Sequence, residues 1–223
     1  MINFLTQLLD CLYRKRCYLC GKTKESAKVC SVCLAEIRKN EFNHSFNIDV
    51  DNGVQFYYAG FYAKDMQKLI RAIKYHEQRE IARYLAGFTF EYWKRFKISE
   101  KKFFVVPVPL FPKRQKQRKY NHMELIAKEF CALLDNGSEL KPDLIKRIKN
   151  TKPQYGLKTQ ERIDNLKDAF EVDLTNYNGE NILLFDDILT TGTTMHEMIN
   201  TLKTAGVTSI TCLAITSHVS RRK

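Results

Sequence analysis

A chain of 223 residues with 44 % apolar side chains can bury one core of ordinary domain size, and it is too hydrophobic for wholesale disorder. Lysine and arginine outnumber aspartate and glutamate 37 to 25, a formal charge of +12 that favours polyanionic partners: nucleic acid, phosphorylated small molecules or an anionic membrane surface. No apolar run approaches the roughly 20 residues of a membrane span, and no secretory signal is read, so a cytoplasmic location is expected, with the seven cysteines mostly reduced.

Residues 1–14 carry Ile2, Leu5, Leu9 and Leu12 at helical spacing, followed by Arg14, Lys15 and Arg16. The simpler reading is a helix docked on its own protein; the sharper one is contact with a membrane or a partner. Next come Cys17, Cys20, Cys30 and Cys33, two C-x2-C knuckles separated by nine residues. Each knuckle presents two thiolates, and Gly21 permits a tight turn after the first. The four sulfurs fit one tetrahedral zinc ion, with an iron–sulfur cluster as the other reading. A closed shell of four thiolates has no open position, so the site is structural. Cys11, Cys131 and Cys212 lie in apolar settings and read as core.

The polar stretch 38–52 reads as a linker between a cysteine module at 1–50 and a larger domain at 51–223. Residues 54–62 predict a strand, and 65–75 and 77–96 predict helices with Ile70, Ile73, Ile81, Leu85 and Phe88 on their apolar faces. Strands are expected at 103–108, 144–148, 182–185 and 210–215. Helices are expected at 121–134 and 193–205, the latter closed by Gly206. Strands alternating with helices argue for βαβ units and an α/β fold with a parallel sheet.

The strongest segment follows the strand at 182–185. Asp186 and Asp187 stand at its carboxyl end, where ligands bind in open parallel sheets. Thr190, Thr191, Gly192, Thr193 and Thr194 then lead into a helix. Gly192 lets the backbone approach a ligand, while loop amides and the helix N-terminus favour an anion. Two carboxylates beside a phosphate repel it unless the ligand also brings vicinal hydroxyls or a divalent cation. A ribose 5-phosphate with magnesium satisfies both conditions. A strand–turn–helix with ordinary N-caps accounts for one Asp and one Thr, not for the whole run.

Lys113, Arg114, Lys116, Arg118 and Lys119 stand within seven residues without an acid among them. Such a run is either a solvated loop or a phosphate contact. It follows a buried strand and precedes a helix, which puts it at the same sheet edge as the acidic pair; pyrophosphate and nucleic-acid phosphate are the two candidate ligands. A third constellation, polar and basic, runs from Lys146 through Arg147 to Leu157, followed by Arg162 and Asn165; it could cover a phosphate ligand, and alone it reads as an ordinary loop.

The segment around Asp186 and Asp187 resembles the 5-phosphoribosyl-1-pyrophosphate (PRPP) loop of type I phosphoribosyltransferases. That resemblance implies that the acidic pair meets the ribose hydroxyls and that Thr190–Thr194 wraps the 5′-phosphate. The cysteine knuckles, the Ile73-Lys-Tyr75 element, the Val-Pro-Val-Pro-Leu strand end, Tyr120-Asn-His122, the Thr-Lys-Pro-Gln loop and the Asp-Asp loop occur in one order. Together they resemble the ComF family, specifically ComFC-type competence proteins, over nearly the whole chain. The family commonly has Gly-Phe-Asn-Gln where this chain has Lys119, Tyr120, Asn121 and His122. The resemblance implies a phosphoribosyltransferase-like, Rossmann-like domain that binds PRPP with magnesium, beside a zinc finger. It also implies a role in natural transformation: handling incoming single-stranded DNA at the inner membrane, with peripheral membrane association and a helicase-like partner. An active phosphoribosyltransferase of nucleotide or nucleobase metabolism is the alternative, and a nucleic-acid adaptor with a vestigial loop is opposed by the intact acidic pair.

Overall fold

Apolar strands and amphipathic helices assemble around one six-stranded sheet in the computed structural model, which describes residues 16–23, 27–42, 48–51, 53–151 and 159–218. In chain order the elements are α1 (Ser31–Phe42), β1 (Ile48–Asp51), β2 (Val54–Phe61), α2 (Lys64–Tyr75), α3 (Ile81–Trp93) and β3 (Phe103–Pro107). They continue with α4 (Pro112–Arg118), α5 (His122–Leu134), β4 (Glu139–Leu140), β5 (Ile145–Arg147), α6 (Thr159–Leu166), β6 (Phe170–Val172), β7 (Asn181–Leu189), α7 (Thr193–Thr204) and β8 (Ile210–Ser217).

The sheet runs β1-β2-β8-β7-β3-β4, parallel throughout except for the antiparallel edge pair β1–β2. β3 and β8 are buried along their whole length, as expected for parallel strands covered on both faces. Side chains alternate between the two layers. Phe103, Val105, Leu183, Phe185, Leu213 and Ile215 join α2, α3 and α5 on one side, together with Val29 and Ile37 from the cysteine-bearing region. Phe104, Val106, Ile182, Leu184, Cys212 and Ala214 meet α7 and the small β5–β6 sheet on the other. Truncating a fully buried member such as Leu183 to alanine costs about 2–5 kcal/mol.

Several expectations change. The polar stretch taken as a linker ends α1 and then supplies β1, which pairs with β2 across Gly53 at φ +78°. The Asn52-Gly53 dipeptide is a hairpin signal that outweighs the polar composition. The helix expected at 77–96 is confined to Ile81–Trp93, because Glu77 takes a left-handed φ of +53°. The basic run is a short helix, started by Pro112 in its first turn and stopped by left-handed Lys119 at φ +66°. The strands β4 and β6 and the helix α6 are additional elements. The amphipathic stretch 1–14, Cys11, the 152–157 loop and the basic tail at 221–223 lie outside the described residues. Cys131 is partly buried against the core and Cys212 is 1 % exposed, both consistent with core packing.

Candidate functional site

β7 extends through Leu189, four residues past the apolar run, so Asp186 and Asp187 are carried on the strand itself. Their side chains have different surroundings. Asp187 is 5 % exposed, on the layer that holds Leu183 and Phe185. There its Oδ2 accepts from Lys74 Nζ at 2.6 Å and from His122 Nε2 at 2.5 Å. Its backbone carbonyl accepts from Thr216 Oγ1 at 2.9 Å. Asp186 is half-buried, and its Oδ1 accepts from the Asp187 amide at 2.8 Å.

These surroundings set the charges. Burial, reinforced by the neighbouring Asp187 charge, pushes Asp186 up to about 7. Burial acts in the same direction on Asp187. There it is outweighed by the Lys74 ammonium and the His122 hydrogen bond, which hold that carboxyl well below the usual range. Lys74 is likewise penalised by burial, yet Asp187 raises its pKa above the ordinary value. Burial lowers His122 despite the acid, whose Oδ2 lies within hydrogen-bond reach of its Nε2. Its Nδ1 is buried with no partner among the described residues.

Beyond β7 the chain turns at Gly192, whose φ of +71° is a left-handed value. A Cβ there would stand 2.9 Å from His196 Nε2. Thr190 and Thr191 are exposed, Thr193 and Thr194 half-buried, and the Thr191 and Thr193 hydroxyls lie 2.7 Å apart. The twelve-residue α7 begins at Thr193, so the amides of its first turn and its positive dipole end face the loop. This is an anion cradle with a carboxylate pair at its head.

The basic run divides. Arg114 turns inward and donates from Nη2 to the Thr151 carbonyl at 2.8 Å. Beside it lies Arg147, on β5, a member of the polar, basic stretch that begins at Lys146. Arg147 is only 7 % exposed; it bonds the Thr151 hydroxyl and packs against the Phe170 ring, but its Nε has no partner among the described residues. Burial and the Arg114 charge lower its pKa to about 10, opposed by Asp186. Burial, then Arg118, lowers Arg114 as well. Arg147 thus feels the Asp186 charge, and neither guanidinium has an acid salt-bridged to it among the described residues. An open cleft of about 530 Å³ adjoins Arg147 and the residues after β3. Arg118 lies instead over the exposed Tyr75 ring at 5.1 Å, and Lys119 pairs with Glu77 at 2.6 Å. Lys113 and Lys116 are exposed.

The four cysteines converge: Cys17, Cys20, Cys30 and Cys33 place their Sγ atoms within 4.8 Å of one another. Cys17–Cys33 and Cys20–Cys30 are each 3.9 Å apart. A tetrahedron with metal–sulfur bonds of about 2.3 Å has edges of about 3.8 Å, so the spacing fits one zinc ion. Burial acts to raise the Cys17 thiol, but bonds with the backbone at Cys20, Cys30 and Leu19 bring it down to about 6, whereas burial and the other three sulfurs push the Cys33 thiol up.

Lys74, His122 and Arg147 are the residues missed as site members. Each lay inside a noted motif, but only the fold brings the three to Asp186 and Asp187. The phosphoribosyl transferase domain family matches residues 124–223, from α5 through the acidic loop. Competence protein F of Haemophilus influenzae is 33 % identical over 159 residues, covering 68 % of this chain and 67 % of its own. Competence protein ComFC of Bacillus subtilis is 29 % identical over 203 residues, covering 88 % and 77 %. DNA utilization protein YhgH of Salmonella typhi is 30 % identical over 106 residues, covering 48 % and 45 %.

Proposed function

Because the chain belongs to the ComF family of competence proteins and has their phosphoribosyltransferase-type α/β fold, we propose that it is a PRPP-binding accessory of DNA uptake. The observation that carries this reading is the cradle itself. β7 delivers Asp186 and Asp187 to a left-handed glycine turn at the head of α7, opposite a buried, incompletely partnered Arg147. In this reading Thr190–Thr194 and the α7 N-terminus take the 5′-phosphate, the acidic pair serves the ribose hydroxyls and magnesium, and Arg114 and Arg147 take the pyrophosphate. Magnesium, when bound, neutralises the pyrophosphate. The chain's own part is to hold the three anionic and hydroxyl-bearing regions of the ligand in one register.

Residues 1–50 form the cysteine module in this proposal and residues 51–223 the PRPP-binding part. Zinc on Cys17, Cys20, Cys30 and Cys33 is structural, supported by the fit of the four sulfurs. In this reading the DNA role belongs to Lys113, Lys116 and Lys119, supported by their exposure. They are placed to meet single-stranded DNA as it enters the cytoplasm beside a helicase-like partner at the inner membrane, where the protein associates peripherally. Among the described residues no helix is long and apolar enough to cross a membrane.

Isothermal titration with PRPP, with and without Mg2+, tests the ligand. Wild type binds only with magnesium and the Asp186→Ala/Asp187→Ala variant does not; equal affinity of the two proteins overturns the assignment. Complementing a competent strain that lacks its own ComF-type protein tests the role: wild type restores transformation and the double variant fails. A turnover screen of nucleobases, reading pyrophosphate release, tests the transferase alternative.

A further inference from the structure

The Ile73-Lys-Tyr75 element ends α2, and its three side chains go three ways. Ile73 is buried in the core, Lys74 reaches Asp187 at 2.6 Å, and Tyr75 stands outside at 63 % exposure. No other Phe, Tyr or Trp among the described residues is comparably exposed. The ring is nevertheless held. Arg118, at the end of α4, lies over it at 5.1 Å. The backbone on either side of it is tied to three other parts of the chain. The Tyr120 hydroxyl donates to the Ile73 carbonyl at 2.6 Å, Lys119 pairs with Glu77 at 2.6 Å, and His76 Nδ1 lies 3.0 Å from the Tyr18 hydroxyl of the first cysteine knuckle. Since the Arg118 guanidinium covers one face, the exposed area of Tyr75 lies on the other face and the edge. Its surroundings are cationic. Burial, then Arg118, weighs against the Arg114 charge while the Tyr75 phenol supports it, which places the ring beside that guanidinium too. Lys113 and Lys116 are exposed on the same helix, which contains no acid.

We propose that Tyr75, backed by Arg118, is a stacking site for one unpaired base of single-stranded DNA whose phosphates follow the cations of α4. This rests on the DNA reading above and gives it the contact that tells a single strand from a duplex. The lysines attract either, because both carry phosphates. Only a single strand can turn a base face onto a ring, since a duplex keeps its base faces stacked on one another. A base on the open face of Tyr75 completes a sandwich of guanidinium, phenol and base, an arrangement that suits a planar, delocalised cation. Because every base has a π-face, the contact carries no sequence preference. Fixing α2 on both sides of the ring lowers the ordering that binding requires.

The test compares wild type with Tyr75→Ala, Tyr75→Phe and Tyr75→Trp by fluorescence anisotropy of a labelled oligothymidylate over a range of salt, with thermal melting to show that each variant is folded. Tyr75→Ala weakens binding by about 5- to 150-fold, the range for losing one base–aromatic stack. Its salt slope stays that of wild type, because no phosphate contact is lost. Tyr75→Phe keeps the ring and stays within about threefold of wild type. Tyr75→Trp keeps binding, and its indole emission changes when the strand is added. An abasic strand of the same length and a duplex each bind wild type and Tyr75→Ala alike. A folded Tyr75→Ala protein with wild-type affinity for oligothymidylate overturns the inference. So does an equal loss on the abasic strand or a flattened slope, since the ring would then serve the backbone. Free nucleobases titrated with PRPP and Mg2+ should not distinguish wild type from Tyr75→Ala; a Tyr75-dependent affinity there overturns the assignment to DNA in favour of a small-molecule site. Failure of wild type to bind any single strand removes the DNA reading and this inference together, whereas salt-dependent binding that ignores Tyr75 removes the inference alone.

Discussion

Replacing Arg147 by methionine separates what the fold needs from what the ligand needs. The guanidinium is 7 % exposed, and burial together with Arg114 brings its pKa down to about 10. That displacement corresponds to roughly 3 kcal/mol set against the charged form. Below pH 10 the residue is protonated in both the folded and the unfolded chain, so the cost is constant and present at pH 7. Against it stand the hydrogen bond to Thr151 and the stacking on Phe170, together about 1–3 kcal/mol. The two sides nearly cancel, so Arg147→Met should melt within about 4 °C of wild type. PRPP binding is a different matter. Losing charge-assisted bonds to the pyrophosphate costs about 1.5–3 kcal/mol, or roughly a 10- to 150-fold loss of affinity. Ribose 5-phosphate, which lacks the pyrophosphate, should bind wild type and variant alike. Urea unfolding and titration with both ligands in Mg2+ make the comparison. A variant that loses more than about 2 kcal/mol of stability while binding PRPP like wild type would refute the reasoning, because the guanidinium would then be structural.

Purified protein should carry about one zinc per chain, released by Cys17→Ser; elemental analysis without zinc, with all four cysteines open to a thiol reagent under native conditions, would sink that assignment. Thr193→Val should weaken PRPP binding by about 1–3 kcal/mol through loss of a loop hydroxyl, read by the same titration. Asp186, raised to about 7, holds its proton more tightly folded than unfolded, so its contribution to stability falls as pH rises from the ordinary carboxylate range through 7. Binding of Mg2+ and PRPP favours the ionised form, so affinity, corrected for the ligand's own titration, should climb by up to about tenfold per pH unit below 7 and level off above it; a flat profile would contradict the assignment. Single-stranded DNA should bind without sequence preference and with a steep salt dependence. Alanine at Lys116, Arg118 and Lys119 should flatten that slope by about 0.7 per contacting cation removed and leave PRPP affinity intact. Loss of PRPP binding with an unchanged slope would reassign these residues.

The acidic loop and the cysteine knuckles were legible in the sequence because each is local. A strand end, a glycine and a helix start are contiguous in the chain, and two C-x2-C pairs meet across nine residues. Hydrophobic periodicity likewise located β2, β3, β7, β8, α5 and α7 within a few residues. What stayed hidden was whatever depends on distant partners. Lys74, His122 and Arg147 come from three separate elements, and their identity as site residues exists only once β7 lies between them. The linker reading failed because composition was weighed over the turn at Gly53. The helix in the basic run is hidden in the sequence because a dense row of like charges obscures the start that Pro112 announces.

The strand order has a consequence for how the molecule is made. β2, at residues 54–61, has β1 on one flank and β8, at residues 210–217, on the other. During synthesis β8 leaves the ribosome long after β2, so β2 must wait for its parallel partner while the intervening elements emerge. The cysteine knuckles need no such delay, since their ligands span residues 17 to 33 and can close around a metal while translation continues. β7, which carries the acidic pair, has β3 available earlier but gains its second neighbour only with β8. The anion cradle is therefore completed only once β8 has emerged, and a chain cut short before residue 210 would keep its cysteine cluster yet lack the strand that joins β2 to β7.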